Sequence, residues 1–303
     1  MSQIPQEGEL VVRKIPFEFP DDLNPIWHPH HEWSQMVNGA SVTMPYLEPF
    51  LIATLREASA QIDDPHIKEE AVGFCAQETT HFKTHRRYNE LLKSNGYPVL
   101  ADVEADMKEN FIKLREQSLS YRLAYACGFE TMTLGVTNWL VSRRQKLFGG
   151  SDTRVASFVL WHFVEETEHK RVAFDVYQDI DGGYWTRLAG IFNGAFDVFW
   201  WSRKAAVAML KTDGRWKNLR SRIRLWRRTG EFFFAILPTL LRSASPGHNP
   251  EDEKDPAWVR DWINGYATRS DNAAPLVDTN DPNMPVPFPS ENLSQGVQTS
   301  GFR

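Results

Sequence analysis

"WHFVEETEHK", residues 161–170, sets two histidines and three glutamates beside Trp161, Phe163 and Val164. Charged side chains are seldom buried unless they are paired or bind a metal. The fold therefore turns on whether this stretch is a solvated helix face or one wall of a buried site. Alternating steps of four and three from Val155 visit Val159, His162, Glu166, His169, Ala173 and Val176. Side chains so spaced share one helix face. The stripe is apolar at both ends and His-Glu-His in its middle, so its polar centre points into a core. Glu168 falls off the stripe, and Glu165 sits at its edge in a solvated or flanking role.

The same walk over 67–92 reads Ile67, Ala71, Phe74, Glu78, His81, His85, Tyr88 and Leu92, again with polar residues between apolar ends. Two further stripes carry one carboxylate each: Glu48 with Leu51, Leu55, Ala58 and Ile62, and Glu130 with Leu123, Ala126, Leu134, Thr137 and Val141. Each uncompensated buried ion costs several kcal/mol. Two divalent cations would balance four carboxylates and leave the imidazoles neutral. With 9 His in 303 residues, chance supplies about 0.6 Glu-x-x-His matches. This chain has two, Glu78/His81 and Glu166/His169, each on an apolar seam. With the lone glutamates they follow the ligand order of dimetal helix bundles, and mixed carboxylate and imidazole donors suit iron or manganese.

Around these stripes the chain divides into four parts. Residues 1–42, rich in Pro, Asp and His with no sustained period, read as an N-terminal arm. Residues 43–182 read as a four-helix core, with the first helix starting near Pro45 and either starting afresh or kinking near Glu48, because proline is tolerated only in a first turn. Its second helix is marked by Asp63-Asp64, Pro65 and Gly96. Its third spans about 102–148 with a break near Gln117-Ser118, and its fourth runs unbroken from Ser151-Asp152 to before Asp181. Residues 183–268 form additional aromatic and basic helices on that core, and 269–303 an extended or disordered tail that could wrap the body. The fold class expected is all-α, a four-helix bundle with additional C-terminal helices.

Composition narrows function. The net charge of −5 argues against nucleic acid as a partner. Cys75 and Cys127 fit neither a disulfide framework nor a thiolate metal site, and read as buried thiols. No basic start with an apolar run opens the chain and no stretch of about 20 uncharged apolar residues occurs, which points to a cytoplasmic setting. Eight Lys/Arg between 211 and 228, interleaved with Trp216, Leu219, Ile223 and Trp226, leave two uses open for 184–241. They are packing or a homodimer face, and peripheral contact with an anionic membrane.

The segments "VNGASVTMPYLEPFL", "CAQETTHFKTHRRYNELL", "FETMT" and "WHFVEETEHKRVAFDVYQ", with the later "SPGHNPED", resemble the predicted metal-dependent hydrolase family with a ferritin-like fold, over about residues 25–255. His162-x-x-x-Glu166-x-x-His169 is also similar to the di-iron arylamine N-oxygenases, in which the additional histidine binds iron. These resemblances imply seven metal ligands: Glu48, Glu78, His81, Glu130, His162, Glu166 and His169. His85 and Glu165 are expected just outside them, His85 as ligand, hydrogen-bond partner or plain core residue. The function expected is a non-haem di-iron oxidase or oxygenase using two iron ions (manganese or a mixed pair being compatible) and O2. Its substrate would be a small hydrophobic or aromatic molecule, and its electrons would come from a reductase or ferredoxin. The alternatives are a dimetal hydrolase and a non-enzymatic metal-binding protein.

Overall fold

The first helix, α1 (His31–Ser59), continues through both Pro45 and Pro49. A computed structural model of the chain describes residues 10–269 and 271–289. A helix start near Pro45 or Glu48 is thus corrected to His31. Each interior proline removes one backbone hydrogen bond and costs about 3 kcal/mol. Burial outweighs that here, because Trp33, Gln35, Asn38 and Val42 ahead of the prolines and Leu47, Phe50 and Leu51 after them are all in the core. The arm ends at His30, and it is not aperiodic. Arg13, Ile15 and Phe17 are buried in alternation with exposed Val12, Lys14, Pro16 and Glu18, the two-residue period of an extended segment.

α2 (Pro65–Ser94) starts where Asp64 accepts from His66 N at 2.8 Å, with Pro65 in its first turn, satisfying amides that a helix start leaves free. α3 (Leu100–Arg115) and α4 (Leu119–Ser142) are separated by a break in which Ser118 caps α4. After the short α5 (Arg144–Phe148), Asp152 caps α6 (Thr153–Glu165). The fourth core helix is not continuous. It stops at Glu165, and α7 (Val172–Ile180) begins after a run of turns. There Thr167, Glu168, His169 and Val172 donate to carbonyls three residues back. Such tightened turns eclipse side chains three apart, which sets Glu166 and His169 one above the other.

α8 (Tyr184–Thr212) lies against α1 and α4, and α9 (Leu219–Ser243) against α4, with α10 (Ala257–Ala267) further along. Glycines allow the closest approach. A Cβ on Gly128 of α4 would strike the backbone of Gly190 on α8, and one on Gly190 the backbone of Ala124. The described part of the tail wraps the body in extended form. Val277 N donates to Ser157 Oγ at 2.9 Å, and Met284 O accepts from Arg144 Nε at 2.7 Å and Trp258 Nε1 at 3.0 Å. Residues 290–303 of the expected tail lie outside the described residues. The described chain is all-α, with ten α-helices and no strand; α1, α2, α4 and the α6–α7 pair surround a polar centre.

Candidate metal centre

α1 delivers Glu48 to that centre, α2 delivers Glu78 and His81, α4 Glu130, α6 His162, and the tightened turns Glu166 and His169. All seven are buried, none more than 4 % exposed. Glu166 lies between three imidazoles: its Oε1 is 2.9 Å from His162 Nε2 and 3.5 Å from His81 Nδ1, and its Oε2 is 3.8 Å from His169 Nδ1. Glu78 Oε1 stands 2.9 Å from His169 Nδ1 and 3.8 Å from His81 Nδ1. Glu48 closes one end, 3.9 Å from His162 Nε2, and Glu130 the other, 4.0 Å from His169 Nδ1.

Both oxygens of Glu48, Glu78 and Glu130, with Glu166 Oε2, His81 Nδ1 and His169 Nδ1, are buried without a well-formed hydrogen bond. Nearly all buried polar atoms in folded proteins have a partner. Among the described residues, nine of the eighteen such side-chain atoms gather in this one cluster. Potential ligand atoms within 4.8 Å of one another fall into overlapping groups: Glu78, Glu130, Glu166 and His169; Glu48, Glu78 and His81; and His81, His162 and Glu166. Glu78 and Glu166 recur at both ends. The donor set fits two hard or borderline cations, and contains no thiolate.

Each imidazole uses its other nitrogen to hold its orientation. His81 Nε2 meets Glu165 Oε2 at 2.8 Å, and Arg13 Nη1 donates to Glu165 Oε1 at 3.1 Å. His169 Nε2 meets Gln77 Oε1 at 2.6 Å, and Gln77 donates in turn to Glu168 at 2.7 Å. His162 Nδ1 meets His85 Nε2 at 2.6 Å, while His85 Nδ1 is 2.8 Å from Ser41 Oγ. A His85 nitrogen also falls within 4.8 Å of ligand atoms of Glu48 and His162. Its Nε2 and Nδ1 both have partners, His162 and Ser41. Such partners fix the tautomer and aim of a metal-binding histidine.

Without a cation the cluster neutralises itself with protons. Burial, then the neighbouring carboxylates, hold Glu48 and Glu130 well above the usual carboxylate range. Burial pushes Glu166 and Glu78 the same way, but the imidazoles of His162 and His81 beside the first, and of His169 and His81 beside the second, outweigh it and hold both below that range. His81 and His169 are raised despite burial, by Glu165, Glu166 and Glu78 around the first and Glu78 beside the second.

A cavity of about 100 Å³ ends at His162. Met44, Phe129, Met132 and Phe163 line it together with Phe199 of α8 and Leu225 and Phe232 of α9. Among the described residues, His162 is the only histidine or acidic residue on its wall.

Glu165 is buried and bonded to His81, so its edge position is a supporting one. Tyr88 and Tyr177 stand outside the centre, donating to Asn38 and to Gly183 O. Sequence reasoning missed Arg13 and Gln77. The alternation through 11–17 carried the signal for Arg13, whereas nothing in the pattern of α2 singles out Gln77. A model of the family described as predicted metal-dependent hydrolase matches residues 11–254, and that description sides with the hydrolytic alternative rather than with oxidation. No curated protein and no solved structure matches the chain.

Proposed function

The chain belongs to the predicted metal-dependent hydrolase family, and from that premise we propose that it is a metalloenzyme in which seven side chains hold two divalent cations. Glu130 and His169 would serve one cation, and Glu48, His81 and His162 the other. Glu78 and Glu166, which recur in the groups at both ends, would be shared. The observation that carries this is the convergence of buried, unpartnered donor atoms, a costly arrangement unless cations take the place of the missing partners. When bound, such a pair supplies either electrons for reduction of O2, if it is iron, or Lewis acidity toward water and a carbonyl or phosphoryl group.

Of these two, oxidation of a small apolar molecule is the reading we favour. The cavity at His162 is walled mainly by methionine, phenylalanine and aliphatic side chains, with Arg203, Ser202, Thr133 and Thr229 as its polar members. Its Met and Phe residues would exclude water and hold an apolar substrate against the centre. His162 is its sole histidine or acidic group, and it is already committed to Glu166 and His85. A leaving group would therefore find no separate carboxyl or imidazole to protonate it, a need that hydrolysis has and hydride or hydrogen-atom removal lacks. Glu165 and Arg13 would keep His81 aimed, Gln77 would do so for His169, and His85 with Ser41 for His162. Electrons beyond those in the substrate would come from a reductase or ferredoxin.

Hydrolysis is the second reading, favoured by the family's own description. The two separate in one experiment. Protein loaded anaerobically with Fe(II) is mixed with oxygenated buffer and apolar candidate substrates, while protein loaded with Zn(II) or Mn(II) is given esters of the same skeletons. Substrate-dependent O2 uptake supports oxidation. Ester cleavage without O2 uptake supports hydrolysis.

A further inference from the structure

We propose that the outer face of α8 and α9 docks on an anionic lipid bilayer. Among the described residues, eleven of the fifteen exposed large hydrophobic side chains belong to these two helices. On α8, Trp185, Phe192, Phe196 and Trp200 fall on one stripe, Trp185 77 % and Phe196 64 % exposed. On α9, Leu219, Ile223, Trp226, Phe234, Leu237 and Leu241 do the same, Phe234 reaching 79 %. The helices lie side by side and antiparallel, joined by Phe199 against Phe233, the Arg203 guanidinium over Trp226, and Tyr184 OH on Ala244 O. Both rest on the bundle below, so the residues they expose point away from it together. Scattered exposed apolar residues need no explanation, but a contiguous field does.

Charge selects the occupant. The stretch 211–228 holds eight Lys/Arg and one acid, Asp213. Asp213 is already occupied, accepting from Gln35 at 2.8 Å and Tyr97 at 2.8 Å. Lys211, Lys217, Arg220 and Arg222 are exposed, with no carboxylate in ion-pair range among the described residues. A second copy seated on this face would set like charge against like. A bilayer with anionic headgroups meets the cations with opposite charge and takes the Trp, Phe and Leu side chains into its interface. Among the described residues no helix is long and apolar enough to cross a membrane, so the pair would lie on the surface. The inner sides of the same helices contribute Phe199, Leu225 and Phe232 to the cavity that ends at His162, which sets the docking face directly over that cavity.

Flotation of the full-length chain tests this independently of any metal. Vesicles of phosphatidylcholine and phosphatidylserine should carry the protein upward, and vesicles of phosphatidylcholine alone should carry far less. R220E/R222E should lower the bound fraction about tenfold or more, and F196S/F234S should abolish flotation with circular dichroism unchanged, since both side chains are solvent-exposed in the free protein. Protein that stays at the bottom with both vesicles would overturn the proposal. So would a soluble dimer that F196S/F234S dissociates, or variants that float as well as the parent.

Discussion

His81 Nε2 lies 2.8 Å from Glu165 Oε2, so the α2 imidazole turns its other nitrogen, Nδ1, toward the carboxylates of Glu78 and Glu166. The carboxylate that aims it is held by Arg13 from an arm more than a hundred residues away. Glu165→Gln should therefore keep the fold and weaken cation affinity about 10–100-fold. Competition with a chelator of known affinity measures it, and unchanged affinity would remove Glu165 from the supporting role.

Burial and the neighbouring carboxylates raise the proton affinity of Glu130, so Glu130→Gln, uncharged and of the same shape, should cost the cation-free fold little. Cation-free Tm should stay level or rise, while the gain in Tm on adding Fe(II) or Mn(II) should largely vanish, because a carboxylate that completes one end of the centre is gone. Differential scanning calorimetry with and without metal reads both. A variant with full cation loading would contradict the assignment.

Cation binding should release protons and strengthen with pH. Glu48, Glu130, His81 and His169 all have raised proton affinity in the cation-free fold. The native state thus binds more protons than the unfolded chain above the ordinary carboxylate range, and further above the ordinary imidazole range. By linkage, cation-free stability falls as pH rises through those windows. The lowered groups, Glu78 and Glu166, contribute stability that is present above the ordinary carboxylate range and lost as pH falls below it. His85 and His162, lowered by burial, oppose the decline up to the ordinary imidazole range, so cation-free Tm should fall chiefly above that range as the gap to the loaded protein widens. Titration calorimetry in buffers of different ionisation enthalpy should show net proton release, and none would mean the cluster is not the binding site.

Gly128→Ala should destabilise the protein by about 1–3 kcal/mol, because the added methyl meets the backbone of Gly190, which cannot rotate away. Glu130 is two residues on, so cation affinity should fall as well. Chemical denaturation measures the first effect. A neutral result would mean α4 and α8 are not packed this closely.

Filling the cavity separates substrate binding from metal binding. Met132→Trp puts bulk into a lining of Met44, Phe129 and Phe163. It should leave cation content intact while raising KM or abolishing turnover of apolar substrates. Undiminished turnover would mean the substrate reaches the centre elsewhere.

The stripes through Glu78/His81 and Glu166/His169 were legible because helical spacing is rigid and a polar group inside an apolar seam is costly. Spacing could not foresee that the second pair sits in tightened turns. The α6–α7 break carries no glycine or proline, and both motif residues keep nearly the same side under either geometry. Pro45 and Pro49 misdirected the start of α1, since local propensity cannot weigh tertiary burial. Arg13 was hidden because an extended arm was read for helical period alone, when Val11, Arg13, Ile15 and Phe17 alternate. The α8–α9 surface is a matter of which face the bundle leaves uncovered, and composition does not contain that.

Anomalous diffraction from crystals of the chain grown with Fe(II) tests the central claim most directly. Two iron peaks about 3.5–4 Å apart, flanked by Glu78 and Glu166 with Glu130 and His169 at one and Glu48, His81 and His162 at the other, are the predicted result. An empty centre in iron-supplied crystals, its seven side chains bonded only to one another, would contradict it.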